Sequence, residues 1–83
     1  MKYTEYFEFT KLRPDRIDIQ EEWIVRTFFS YIHEEIQNDG RIRRWAKIDE
    51  AGGKYLRIVI LEDGETIHNA FFDRSFKEII SCK

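Results

Sequence analysis

The sequence predicts an α+β fold: a four-stranded antiparallel meander packed on one face by a helix, with a short N-terminal strand or helix before it. Three observations carry this. Gly40 to Phe72 alternates apolar with polar residues at the two-residue period of half-buried strands. Three turn signals divide that stretch, namely Asn38-Asp39-Gly40, Ala51-Gly52-Gly53 and Asp63-Gly64. Ahead of it, Trp23, Thr27, Phe28, Tyr31 and Ile32 recur at helical spacing and give one apolar stripe.

Taken in order, Tyr3, Tyr6, Phe7 and Phe9 suit either a strand or a helical turn, and periodicity does not decide between them; a short strand is expected over Tyr3 to Thr10. Asp18 and Glu21 stand at capping-box spacing, so the helix should start there, and it should end between Ser30 and Ile32. Strands are expected at His33–Gln37, Arg41–Glu50, Lys54–Glu62 and Glu65–Phe72, with a helical turn over Ser75–Ile80. The 83 residues allow one domain. Seven Phe and two Trp supply enough buried area per residue that neither a metal nor a disulfide is required to hold it. The single cysteine, Cys82, cannot form an internal disulfide, which fits a reducing cytosol. No apolar run is long enough for a membrane span, and the N-terminus lacks the apolar core of a signal peptide, so the expected location is cytoplasmic.

Turn lengths predict the register. A two-residue Asp63-Gly64 loop pairs Ile60 with Ile67, Ile58 with Asn69 and Leu56 with Phe71 on the apolar side. On the other side it pairs Val59 with His68 and Arg57 with Ala70. A three-residue Ala51–Gly53 loop pairs Ile48 with Leu56 and Ala46 with Ile58. A two-residue loop there would drive Lys47 and Arg43 into the apolar side, at the cost of burying unpaired cations. The first turn places Ile36 against Ile42, Glu35 against Arg43 and His33 against Trp45.

The open face then carries His33, Glu35, Arg43, Trp45, Lys47, Tyr55, Arg57, Thr66 and His68. Cations neutralise phosphates and aromatic rings stack on unpaired bases, so Arg43, Trp45 and Tyr55 are candidate RNA-binding residues. His68 is the candidate general base, because imidazole titrates near neutrality and shares this face with Arg57. The competing reading is a solvated face, with Glu35–Arg43 an ordinary cross-strand ion pair and Trp45 covered by the N-terminal segment or a partner. The net charge of −2 argues against a strong nucleic-acid binder, although Arg41, Arg43, Arg44 and Lys47 cluster within seven residues. His33 and His68 sit on outer strands, roughly 14 Å apart at ~4.8 Å per strand, so they cannot share a metal. No other spacing suits zinc, and no phosphate loop or nucleophile elbow is present. No cofactor is expected.

Lys54-Tyr55-Leu56-Arg57-Ile58-Val59-Ile60, followed by Asp63-Gly64 and a closing strand, resembles the C-terminal half of small bacterial proteins of the RelE/ParE/BrnT-like toxin superfamily. Gly40 to Ile48 resembles the strand preceding it there. Thr10, Arg16 and Ile19-Gln20 are loosely similar to its Ser-x-His-x-x-x-Arg entry, with Leu12 where relatives often carry His. Arg13 to Arg16 together with His68 to Arg74 is also similar to a group of short uncharacterised cyanobacterial proteins. The resemblance implies a helix on a curved sheet, a cytosolic antitoxin partner and metal-independent cleavage of messenger RNA. Carried over, it leaves Arg43, Lys47, Arg57 and His68. His68 or Lys47 would act as base, with Arg57 and Arg43 stabilising phosphoryl charge. The alternatives are a non-catalytic protein-binding module anchored by Trp45 and Tyr55, or a homodimer through the Glu65–Phe72 edge or the open face.

Overall fold

The computed structural model describes residues 1–76. Its sheet has five strands, β1 (Lys2–Tyr3), β2 (His33–Ile36), β3 (Ile42–Ile48), β4 (Lys54–Ile60) and β5 (Thr66–Phe72), in the order β1-β5-β4-β3-β2. The expected antiparallel meander is β2 to β5. The short N-terminal strand expected over Tyr3 to Thr10 is confined to Lys2–Tyr3, and this β1 pairs parallel with β5, which makes the sheet mixed. Lys2 and Thr4 donate to the carbonyls of Glu65 and Ile67 at 3.0 Å, which places this short strand on the β5 edge. A dimer built on a free β5 edge is therefore disfavoured at its N-terminal end, and β2 is the sheet's other outer strand.

The N-terminal segment is mostly helix rather than the expected strand. Helix α1 (Glu5–Thr10) begins where the Thr4 hydroxyl accepts from the Phe7 N–H at 3.0 Å, with Glu5 and Glu8 favourably placed in its first turn. Helix α2 (Glu21–Phe29) starts at Gln20 without a side-chain cap. The expected Asp18 cap fails because Arg13 to Ile19 is drawn into a run of turns, with Ile19 N–H bonded to the Arg16 carbonyl at 3.0 Å. The helix ends at Phe29, within one residue of expectation, and leaves Tyr31 and Ile32 exposed. Arg44 holds that end: its guanidinium donates to the Phe28 carbonyl at 2.8 Å, pairs with Glu34 at 2.7 Å and lies over the Phe28 and Tyr31 rings.

Phe7 and Ile24 from the two helices join Ile48, Leu56, Ile58, Ile60, Ile67 and Ala70 in one core cluster. Both helices thus cover a single face of the sheet. Among the described residues no helix is long and apolar enough to cross a membrane. Most of the expected Ser75–Ile80 turn, and Cys82, lie outside the described residues.

Register decides what the other face displays. Between β2 and β3 it is as expected, with Ile36↔Ile42, Glu35↔Arg43 and His33↔Trp45. Between β3 and β4 it differs by two residues: Ile48 pairs with Lys54 and Ala46 with Leu56. The cause is a longer loop, a 3-10 turn over Asp49–Ala51 followed by Gly52 and Gly53, both at positive φ. An even shift leaves every side chain on its expected face. At the last hairpin only Gly64 has positive φ (77°), so the turn is not type I′, which needs both central residues left-handed. Ile60 still pairs with Ile67, but a bulge follows. The extra residue is His68, and beyond it Val59 pairs with Asn69, Ile58 with Ala70, Arg57 with Phe71 and Leu56 with Phe72. An uninterrupted ladder would have set Asn69 against buried Ile58; the bulge turns Asn69 outward and brings Ala70 into the core.

Candidate functional site

The face away from the helices is built by alternation on three strands. Cross-strand pairs Glu35↔Arg43, His33↔Trp45, Trp45↔Arg57 and Lys47↔Tyr55 put these seven side chains on one side. The bulge adds Asn69 and Phe71 from β5.

This face is not bare. Trp45 is only 4% exposed, because the chain returns over it after β5. The Phe76 ring stacks on the Trp45 indole at 5.0 Å with 17° between planes, and also meets Tyr55 at 5.1 Å and His33 at 5.7 Å. Asp73 accepts from Trp45 Nε1 at 3.1 Å and pairs with Arg57 Nη1 at 3.4 Å. The Asp73 N–H donates to the Tyr55 carbonyl, and Ser75 donates to Asp73 from both its N–H and its hydroxyl. Those last two bonds form a local turn that aims the chain back across the sheet. The expected exposure of Trp45 is thus corrected: the cover is neither the N-terminal segment nor a partner, but the chain's own residues Asp73 to Phe76.

Arg57 lies over the Phe71 ring at 4.4 Å and beside Trp45 at 5.9 Å. Its Nε is buried without a hydrogen-bond partner. Burial pulls its pKa down and neighbouring Arg43 adds to this, while Asp73 and Glu35 oppose it. Burial alone would raise the Asp73 carboxyl, but hydrogen bonds from Ser75 and Trp45, with the Arg57 charge, hold it below the usual carboxylate range. Arg43 approaches Glu35 at 4.0 Å, Lys47 is exposed, and Tyr55 is half-buried. Arg16 reaches in from the α1–α2 connection, donating to Asn69 Oδ1 at 2.7 Å and lying over Phe71 at 5.3 Å.

Arg43, Trp45, Lys47, Tyr55 and Arg57 are therefore brought together, whereas His68 is drawn away. Its expected pairing with Val59 is taken by Asn69. The His68 ring instead bonds Thr4 Oγ1 at 3.1 Å and stacks on Tyr6 at 4.8 Å, at the start of α1. Burial, then the Arg41 charge, lowers its pKa. The imidazole that does share the face is His33, hydrogen-bonded through Nε2 to Glu35 at 3.1 Å and 5.3 Å from the Trp45 ring. A proton on Nε2 leaves Nδ1 free to accept one. Among the described residues no group of three His, Cys, Asp or Glu is placed to hold a metal.

Sequence reasoning missed Asp73, Phe76 and Asn69 as parts of this face. The Asp-x-Ser turn was a readable signal for Asp73; nothing in the sequence pairs Phe76 with Trp45. No family model, no curated protein and no solved structure matches the chain.

Proposed function

We propose that this chain is an RNA-binding protein of the toxin-like kind that its sequence resembles, acting in the cytoplasm and cleaving messenger RNA without a metal. One observation carries the reading: guanidinium, ammonium, indole, phenol and imidazole groups from three adjacent strands share a single face. Arg43, Arg57 and Lys47 bind phosphates, and Trp45 and Tyr55 stack on bases. Cleavage takes its base from His33 rather than His68. His33 Nδ1 accepts the proton of a ribose 2′-hydroxyl while Glu35 holds the ring from Nε2. The 2′-oxygen attacks the adjacent phosphorus, giving a 2′,3′-cyclic phosphate, and the departing 5′-oxygen takes a proton from Lys47. Arg43 and Arg57 stabilise the charge on the phosphoryl oxygens. A protein antitoxin would act by masking this face.

The test is an RNA degradation assay with purified protein. His33→Ala should lower the cleavage rate by ~10²-fold or more, the usual contribution of a general base. His68→Ala should leave it within about twofold of wild type. Equal loss in both, or loss in His68→Ala alone, would return the role of base to His68.

A second reading is favoured by one observation. Outer strand β2 ends in Ile36 at 69% exposure, and Phe29, Tyr31 and Ile32, ahead of the strand, are also exposed. Apolar side chains on an outer strand suit a non-catalytic protein-binding module. RNA neither bound nor cut, with a stable protein complex lost on Ile36→Lys, would select it.

A further inference from the structure

The segment lying on the candidate site has the chemistry of the ligand proposed for that site. Asp73 puts an anion on Arg57 at 3.4 Å, where a phosphate would sit, and the same carboxylate takes the Trp45 indole N–H. Phe76 puts a flat ring on Trp45 at 5.0 Å and 17°, with Tyr55 and His33 closing around it. That is the arrangement of a base stacked on an aromatic platform. Arg57, Trp45 and Tyr55, at the centre of the face, are thus already engaged in cis, all by residues within one four-residue stretch.

The geometry points to Asp73–Phe76 as a plug that mimics one nucleotide of single-stranded RNA, with Asp73 in the phosphate position and Phe76 in the base position. This rests on the RNA-binding reading. It also assigns that reading a subsite: the Trp45–Tyr55–His33 ring cluster takes one unpaired base, and Arg57 takes its phosphate. Arg43 and Lys47, on the same face, bind the flanking phosphates. RNA must displace the plug, so its apparent affinity is reduced by the fraction of molecules in which the subsite is open.

The experiment measures binding of a fluorescein-labelled twelve-residue oligouridylate by polarisation, using the full chain. Phe76→Ser removes the ring, Phe76→Tyr keeps it, and Asp73→Asn removes the charge. Phe76→Ser and Asp73→Asn should each tighten binding by about fivefold or more, as expected when a competing closed state is removed, and Phe76→Tyr should leave it unchanged. In a Trp23→Phe background, acrylamide quenching of Trp45 should rise in Phe76→Ser without added RNA. Wild-type binding with no gain in either opened variant overturns the plug and spares the RNA reading. Absence of binding in every protein overturns both. Loss of the cooperative thermal transition in Phe76→Ser and Asp73→Asn makes the segment a structural part, and also overturns the plug.

Discussion

Asp73 and Arg57 show how much of the site depends on single groups. Arg57 is partly buried against Phe71 and Trp45, with one guanidinium nitrogen unpartnered, so the carboxylate beside it offsets the cost of burying its charge. Because the Asp73 pKa is lowered in the folded chain, protonation favours unfolding. Its stabilising contribution is present above the unfolded carboxylate value of ~3.9 and is lost as pH falls through the lower folded value. Wild type should exceed Asp73→Asn in stability by about 1.5–3 kcal/mol at pH 7, the scale of hydrogen bonds to charged groups. The gap should close in melts near pH 2. Glu50, which the hydrogen-bonded Arg26 guanidinium holds at about 2, and Asp63, lowered by Thr66 and backbone N–H groups, titrate in both proteins. The difference between the two therefore isolates Asp73. A gap that widens in acid would contradict the assignment. At this scale the sequence disclosed Arg43, Lys47 and Arg57 because alternation alone determines which way they point. It did not disclose the Trp45–Phe76 stack, since no period links residues on opposite sides of β4 and β5.

Among the elements, β5 carries the sharpest lesson. Ile67-His68-Asn69-Ala70 breaks the two-residue period with consecutive polar residues, and the structure resolves the break with a bulge at His68. That break was legible. Its consequence was not, because turn geometry predicts register only for an uninterrupted ladder. The longer β3–β4 loop did less damage, since its two-residue shift preserved parity. The account predicts opposite outcomes for two changes at one position. His68→Ala keeps the bulge and loses a partly buried hydrogen bond and a ring contact, at about 1 kcal/mol. Deleting His68 forces either Asn69 into the core against Ile58 or a shift of the hairpin, and should cost more than ~3 kcal/mol. Urea unfolding of both variants measures this; a deletion no worse than the alanine would show that the bulge does not set the face. Strand β1 was expected but placed too far along the chain, since two residues are too short to show a period.

For the whole molecule, the apparent conflict is between a net charge of −2 and the anionic ligand proposed for it. Its resolution is spatial. Glu5, Glu8, Glu21 and Glu22 lie on the helices, on the far side of the sheet from Arg43, Lys47 and Arg57. The acids on the site face, Glu35 and Asp73, are engaged by Arg43 and Arg57. Local potential rather than total charge then governs binding, and it is sensitive to salt. The α+β class, the helix over the sheet and the shared face of strands β2 to β4 were all legible from period and turn chemistry; the partition of charge between the two sides followed from them. The most direct test is therefore a salt titration of oligouridylate affinity in wild type, Arg43→Ala and Arg57→Ala. The account predicts a linear fall of log affinity with log salt, at ~0.7 per neutralised phosphate on a single strand, with each variant's slope shallower by about that amount. Slopes identical in all three proteins, or no salt dependence at all, would contradict it.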